Sequence, residues 1–170
     1  LVLCAFVGLR LALHDGDLST FVLAGDQVTD VEEAPPELTV QTGARGYDGQ
    51  AFYRLARNPF TREQTEFGIG FARPIYRHQR IGYPFAAWML SAGGRAPLVP
   101  AALVIVNVAA GAAMAAVGAR LAIDAGRSAW LGLVPAGWAG YLIGLSLDLS
   151  EVLAGFLLLA AVLALRRSRW

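Results

Sequence analysis

Two stretches without a single charged side chain constrain this chain more than any other feature. Residues 96 to 119, between Arg95 and Arg120, hold none, and neither do residues 128 to 147, between Arg127 and Asp148. Each reaches the ~20 residues that a helix needs to cross about 30 Å of hydrocarbon. A third run, "VLAGFLLLAAVLAL", follows Asp148 and Glu151 and is long enough if those two carboxylates sit at the interface. With 56% hydrophobic residues, against roughly 45–50% in soluble domains, the chain reads as a membrane protein. The opening "LVLCAFVGLRLAL" is apolar up to His14. No small-residue cleavage site follows it, so it is expected to be the end of a truncated first transmembrane helix and not a signal peptide.

Orientation comes from the short links. Arg120 and Arg127 flank one, and Arg166, Arg167 and Arg169 crowd the tail; the positive-inside bias places both in the cytoplasm. Alternation then puts everything from His14 to Ala96 outside. The expected fold is all-α, a polytopic integral membrane helical protein. Its parts would be the truncated helix 1–13, a long structured extracytoplasmic loop 14–96 with amphipathic and interfacial helices, and a region 97–170. That last region would hold transmembrane helices at 97–119, 129–147 and 149–165 and an arginine-rich cytoplasmic tail. Tyr76, Tyr83 and Trp88 are residue types expected at headgroup level.

Within the loop, "GYDGQAFYRLARNPF" sets Asp48 between two glycines, ahead of a helix that Pro59 stops. Asp48 has two compatible readings. It can cap the helix 49–58 by accepting a backbone N–H, or it can act as a general base toward a hydroxyl near the membrane surface. Further on, "RPIYRHQR" places Arg73, Arg77 and Arg80 at i, i+4 and i+7, one face of a helix. Three guanidinium groups there can hold a phosphate through charge-assisted hydrogen bonds, or touch lipid headgroups, or pair with Glu63 and Glu66. In "DLSE", Asp148 and Glu151 suit an ordinary helix start, yet ionisable groups at the edge of a span are also functional candidates. Asp15, Asp17 and Asp26 lie just outside the first helix, either solvated or paired with Arg10. All fourteen basic residues are arginine, and Cys4 is the sole cysteine, which leaves no disulfide framework and no zinc pattern. No phosphate-cradling glycine loop or nucleophile elbow occurs.

Taken together, "GDLSTFVLAGD", "GYDGQAFYRLARNPF", "RPIYRHQRIGYPFAAWML" and "DLSE", in that order, resemble bacterial polytopic membrane glycosyltransferases of the GT-C class. A looser likeness links them to dolichol-phosphate-mannose-dependent mannosyltransferases. The resemblance implies transfer of a sugar from a polyprenyl-phosphate-linked donor to an acceptor hydroxyl on the outer face, with inversion at the sugar carbon. By motif position it makes Asp48 the catalytic base. Charge assigns donor and substrate contacts to Arg77 and Arg80, with Arg73, Tyr76, Asp148 and Glu151 beside them. The family usually has eight or more spans, so the chain is expected to be an amino-terminal part. The partners expected are the lipid-linked donor, an envelope glycan, lipid or protein acceptor, and membrane lipid, with no nucleic acid, at the plasma membrane. No cofactor is required by the pattern, although acidic residues near a phosphate can bind Mg²⁺ or Mn²⁺. The competing readings are a transporter, marked by polar groups lining a path through the spans, and a lipid-binding or structural membrane subunit.

Overall fold

The computed structural model describes residues 2–71 and 74–167, and Arg73 lies outside them. In chain order, helix α1 (Val2–Leu13) leads through a 3-10 turn (Leu18–Phe21) to strand β1 (Ala24–Gly25), which pairs in parallel with β2 (Val40–Gln41). Helix α2 (Asp48–Arg57) follows. Next comes a small hairpin of β3 (Thr65–Glu66) and β4 (Ile69–Gly70). Its two-residue turn, Phe67 and Gly68, has both φ values positive, at 54° and 72°, as tight hairpins with right-handed strand twist require. Helices α3 (Pro74–His78), α4 (Gly82–Leu90) and α5 (Val99–Asp124) come next, then α6 (Leu133–Ala136), α7 (Ala139–Ser146) and α8 (Glu151–Arg166). The described chain is mostly helical; the strands are two residues each and serve only to tie loops together.

The polar region does not form a separate domain. Phe52, Tyr53 and Leu55 of α2, Ile69 of β4, Tyr83 and Ala87 of α4, and Val99 and Leu103 of α5 share one buried core. At about 1.5–3 kcal/mol for each large apolar side chain fully withdrawn from water, this shared core fastens the loop to the first half of α5. One aspartate does related work in the loop: Asp17 accepts from the Ser19 amide at 2.8 Å and from the Thr39 hydroxyl at 2.6 Å. Asp26 likewise accepts from the Gly43 amide at 2.8 Å. Both carboxylates are thus loop fasteners.

Helix α5 is the axis of the remainder. Arg167 donates to Asp124 at 3.0 Å, so α8 ends beside the end of α5 and the two run the same way. Helix α1 runs against them, with Leu3 beside Gly111 and Phe21 packed near Val104. The expected single helix over 129–147 is broken. A 3-10 turn (Ala129–Gly132) and α6 precede α7 at a bend of 50°. Pro135 lacks an amide to continue the ladder, and Trp138 is extended, with φ −67° and ψ 132°. Gly132 is held against the α5 backbone at Ala115 and Ala119, where any side chain would keep the two segments apart.

Among the described residues, one stretch, Ala96–Asp124, is long and apolar enough by itself to cross a membrane, with mean hydropathy 2.1. The bent pair passes the same test only when its halves are taken together. Helix α8, with 16 residues, is about 24 Å long at ~1.5 Å per residue. Large apolar side chains point outward all along this part of the molecule: Val2, Leu9, Trp130, Val134, Leu158 and Leu165 are each exposed by half or more.

Candidate functional site

The local fold around Asp48 explains both glycines that flank it. Gly46 has φ +70°, and a side chain there would press on the Gly25 amide and the Leu23 carbonyl, each 2.7 Å from where a Cβ would sit. A Cβ at Gly49 would collide with the carbonyls of Val22 and Leu147. The start of α2 is therefore wedged, backbone against backbone, between the first loop and the turn preceding α8. Gln50 completes the seat, accepting from the Thr29 hydroxyl at 2.9 Å and the Gly25 amide at 3.3 Å and donating to the Arg45 carbonyl at 3.1 Å.

Asp48 is not the cap of this helix. Tyr47 occupies the N-cap position in an extended conformation without a side-chain cap bond, and Asp48 is the first helical residue, where a negative charge complements the helix dipole. Its carboxylate turns toward arginines. Arg77 forms a close ion pair with Oδ1, Arg80 lies 3.9 Å from Oδ2, and Arg80 also reaches Glu151 Oε1 at 3.4 Å. Tyr76 lies beside them, its ring centroid 5.7 Å from the Arg77 guanidinium and 6.0 Å from that of Arg80. Asp48 and Arg77 line a cavity of about 700 Å³, which also touches Arg45, Tyr47, Gln50 and Tyr76. Cationic, amide and aromatic groups on one concave surface suit an anionic, hydroxyl-rich ligand.

The two acids of "DLSE" have opposite fates. Glu151 is exposed and joined to Arg80, whereas Asp148 is fully buried, with φ 47°, and belongs to a different cluster. Tyr83 Oη is 3.4 Å from Asp148 Oδ1, donates to the Leu103 carbonyl at 3.1 Å, and accepts from Asn107 Nδ2 at 3.0 Å. Burial pushes the Asp148 carboxyl well above the ordinary carboxylate range, against the smaller opposing pulls of Tyr83 and Arg10. Burial, with Asp148 beside it, likewise raises the Tyr83 phenol. The Tyr83 hydroxyl is the donor of this cluster, with the Leu103 carbonyl and Asp148 Oδ1 as its two acceptors. Tyr83 is buried and packs edge-on against Phe52 with centroids 5.5 Å apart.

Arg73 lies outside the described residues. Among those described, no group of three or more His, Cys, Asp or Glu side chains is placed to hold a metal ion. The carboxylates of Asp48 and Glu151 each face a guanidinium. Two residues gave no sign of their roles in the sequence. Arg54 is fully buried; it donates to the carbonyls of Gln64 and Ile69, both at 2.8 Å, and its guanidinium lies 4.1 Å from the Phe71 ring centroid, fixing the hairpin. Arg45 lines the cavity, and its guanidinium has no hydrogen-bond or ion-pair partner among the described residues. Comparison with protein-family models, with curated proteins and with solved structures finds no match.

Proposed function

We propose that this chain carries the catalytic carboxylate of an integral membrane glycosyltransferase resembling the GT-C class. It would move a sugar from a polyprenyl-phosphate donor to a hydroxyl of an envelope glycan, lipid or protein on the extracytoplasmic side of the plasma membrane. The observation that carries this reading is the meeting of Asp48 with Arg77 and Arg80 beside a cavity that Asp48 and Arg77 line. The polytopic arrangement belongs to the same proposal. Arg120, Arg166 and Arg167 stand toward the end of the bundle where Arg167 meets Asp124, and the cavity belongs to the loop unit fastened to the start of α5. That separation suits a cytoplasmic basic end and an external site. The outward apolar side chains of α1, α6 and α8 suit contact with lipid.

In this reaction the acceptor oxygen attacks the anomeric carbon from the face opposite the phosphate. Asp48 takes the hydroxyl proton as the new C–O bond forms. The bond from the anomeric carbon to the phosphate oxygen breaks, its electron pair leaves with the polyprenyl phosphate, and the configuration inverts. Arg77, on the cavity wall, meets the charge that grows on that phosphate while Arg80 holds the other oxygen of Asp48, and fixed donors aimed at developing charge lower the barrier most where water is excluded. Tyr76 offers an aromatic face to the sugar or the lipid stem. The test is transfer of labelled sugar from a polyprenyl-phosphate donor in membranes bearing the protein. Asp48→Asn is expected to lower the rate by about 10²–10⁴, the usual worth of a general base, with insertion intact. Unchanged transfer rejects the base role.

A further inference from the structure

We propose that Arg77 keeps Asp48 out of action until the donor arrives, and that the donor phosphate, taken by Arg45 and Arg77 together, releases the carboxylate. This rests on the reading above, in which the cavity receives a polyprenyl phosphate. Arg77, Asp48, Arg80 and Glu151 form a chain of alternating charge that sums to zero. An anion entering this chain therefore finds no spare cation in it and must compete with a carboxylate.

The two arginines are not equivalent competitors. Arg80 is tethered to Glu151 at the start of α8 as well as to Asp48, whereas the ion pair of Arg77 is with Asp48. Arg77 lines the cavity and Arg80 does not. Arg77 is thus the group a cavity ligand meets, and among the described residues its ion pair is with one carboxylate. Arg45 supplies the missing charge: exposed, lining the same cavity and unpaired among the described residues, it balances the one negative charge of a phosphodiester. With the phosphate between Arg45 and Arg77, Oδ1 of Asp48 becomes free to accept the acceptor's proton, and Arg80 holds Oδ2 and the orientation. Glu151 is then a positioning residue, acting through Arg80.

Binding separates this inference from the reading beneath it. The full chain in lipid nanodiscs would be titrated with a polyprenyl methyl phosphate, a singly charged diester, with uncharged polyprenol and inorganic phosphate as the other arms. Wild type should bind the diester better than polyprenol, and Arg77→Gln and Arg45→Gln should each weaken binding about fivefold, the scale of a partly exposed charge contact. Asp48→Asn should bind about fivefold tighter, because it removes the competitor for Arg77, although it is defective in transfer. If binding depends on Arg77 but Asp48→Asn is no tighter, the gating idea is overturned and the donor site stands. Should wild type prefer polyprenol equally, or ignore Arg77→Gln, the donor site itself fails. Inorganic phosphate binding as well as the diester removes the lipid from the proposal. Arg77→Lys, which keeps the charge, replaces Arg77→Gln if the latter does not insert, and an affinity between wild type and Arg45→Gln is then the expected result.

Discussion

Replacing Asp148 by Asn should make this protein more stable at neutral pH, although it removes a buried ionisable residue. Asp148 is fully buried, its nearest hydrogen-bond partner stands 3.4 Å away at Tyr83, and its Oδ2 has no partner among the described residues. Burial raises its folded-state pKa, so the folded chain keeps a proton that the unfolded chain releases above about pH 4. Folding is then favoured most below that pH, and stability falls as pH rises toward the folded pKa. Each unit of upward shift withdraws about 1.4 kcal/mol. Asparagine matches the neutral acid in shape and its amide oxygen can accept from the Tyr83 hydroxyl, with no proton to lose. The gain at pH 7 should be about 1–3 kcal/mol, the scale of a buried polar group freed from an unmet requirement, and it should vanish near pH 4. Thermal unfolding of both proteins in detergent micelles from pH 4 to pH 9 checks this, and Asp148→Asn should also retain sugar transfer. A variant less stable than wild type at pH 7, with the same pH profile, would show that Asp148 is an ionised and useful anion.

Two further substitutions probe the seat of the site. Gly49→Ala should destabilise by about 2 kcal/mol, within the usual range for overpacking, because the new methyl meets two carbonyls that cannot rotate away; a denaturation midpoint unchanged from wild type would dispose of the backbone wedge. Arg54→Met should cost about 3–5 kcal/mol, the scale of breaking a buried charged network, by stripping donors from the Gln64 and Ile69 carbonyls. Hydrogen exchange should then show the β3–β4 hairpin opening first, and a loss below about 1 kcal/mol would mean the loop holds itself.

What the sequence disclosed and what it withheld divide along physical lines. Long-range charge patterning is a property of the chain itself, so the run before Arg120 reads directly as α5, and "DGQAFYRLAR" as a helix stopped before Pro59. The same charge-free pattern does not show the bend within 129–147, because hydropathy is blind to the break at Pro135, Gly137 and Trp138. In the site, Asp48, Arg77 and Arg80 share a locale because α2 and the segment after β4 come together over a common core. The capping role was misplaced by one residue, since Tyr47 takes the extended cap conformation. Asp148 and Glu151 looked alike as helix-start acids; only tertiary packing sends one inward and leaves the other at the surface. Arg54 resembled its neighbour Arg57, yet a buried guanidinium is distinguished by carbonyls contributed from a hairpin that spacing alone does not locate.

The contact of Gly49 with Val22 on one side and Leu147 on the other decides how the cavity can change shape. Helix α2 cannot tilt without carrying the turn that bears Asp148, and that turn is bonded through Tyr83 to α5. The wall holding Asp48 therefore travels with the bundle as a single piece.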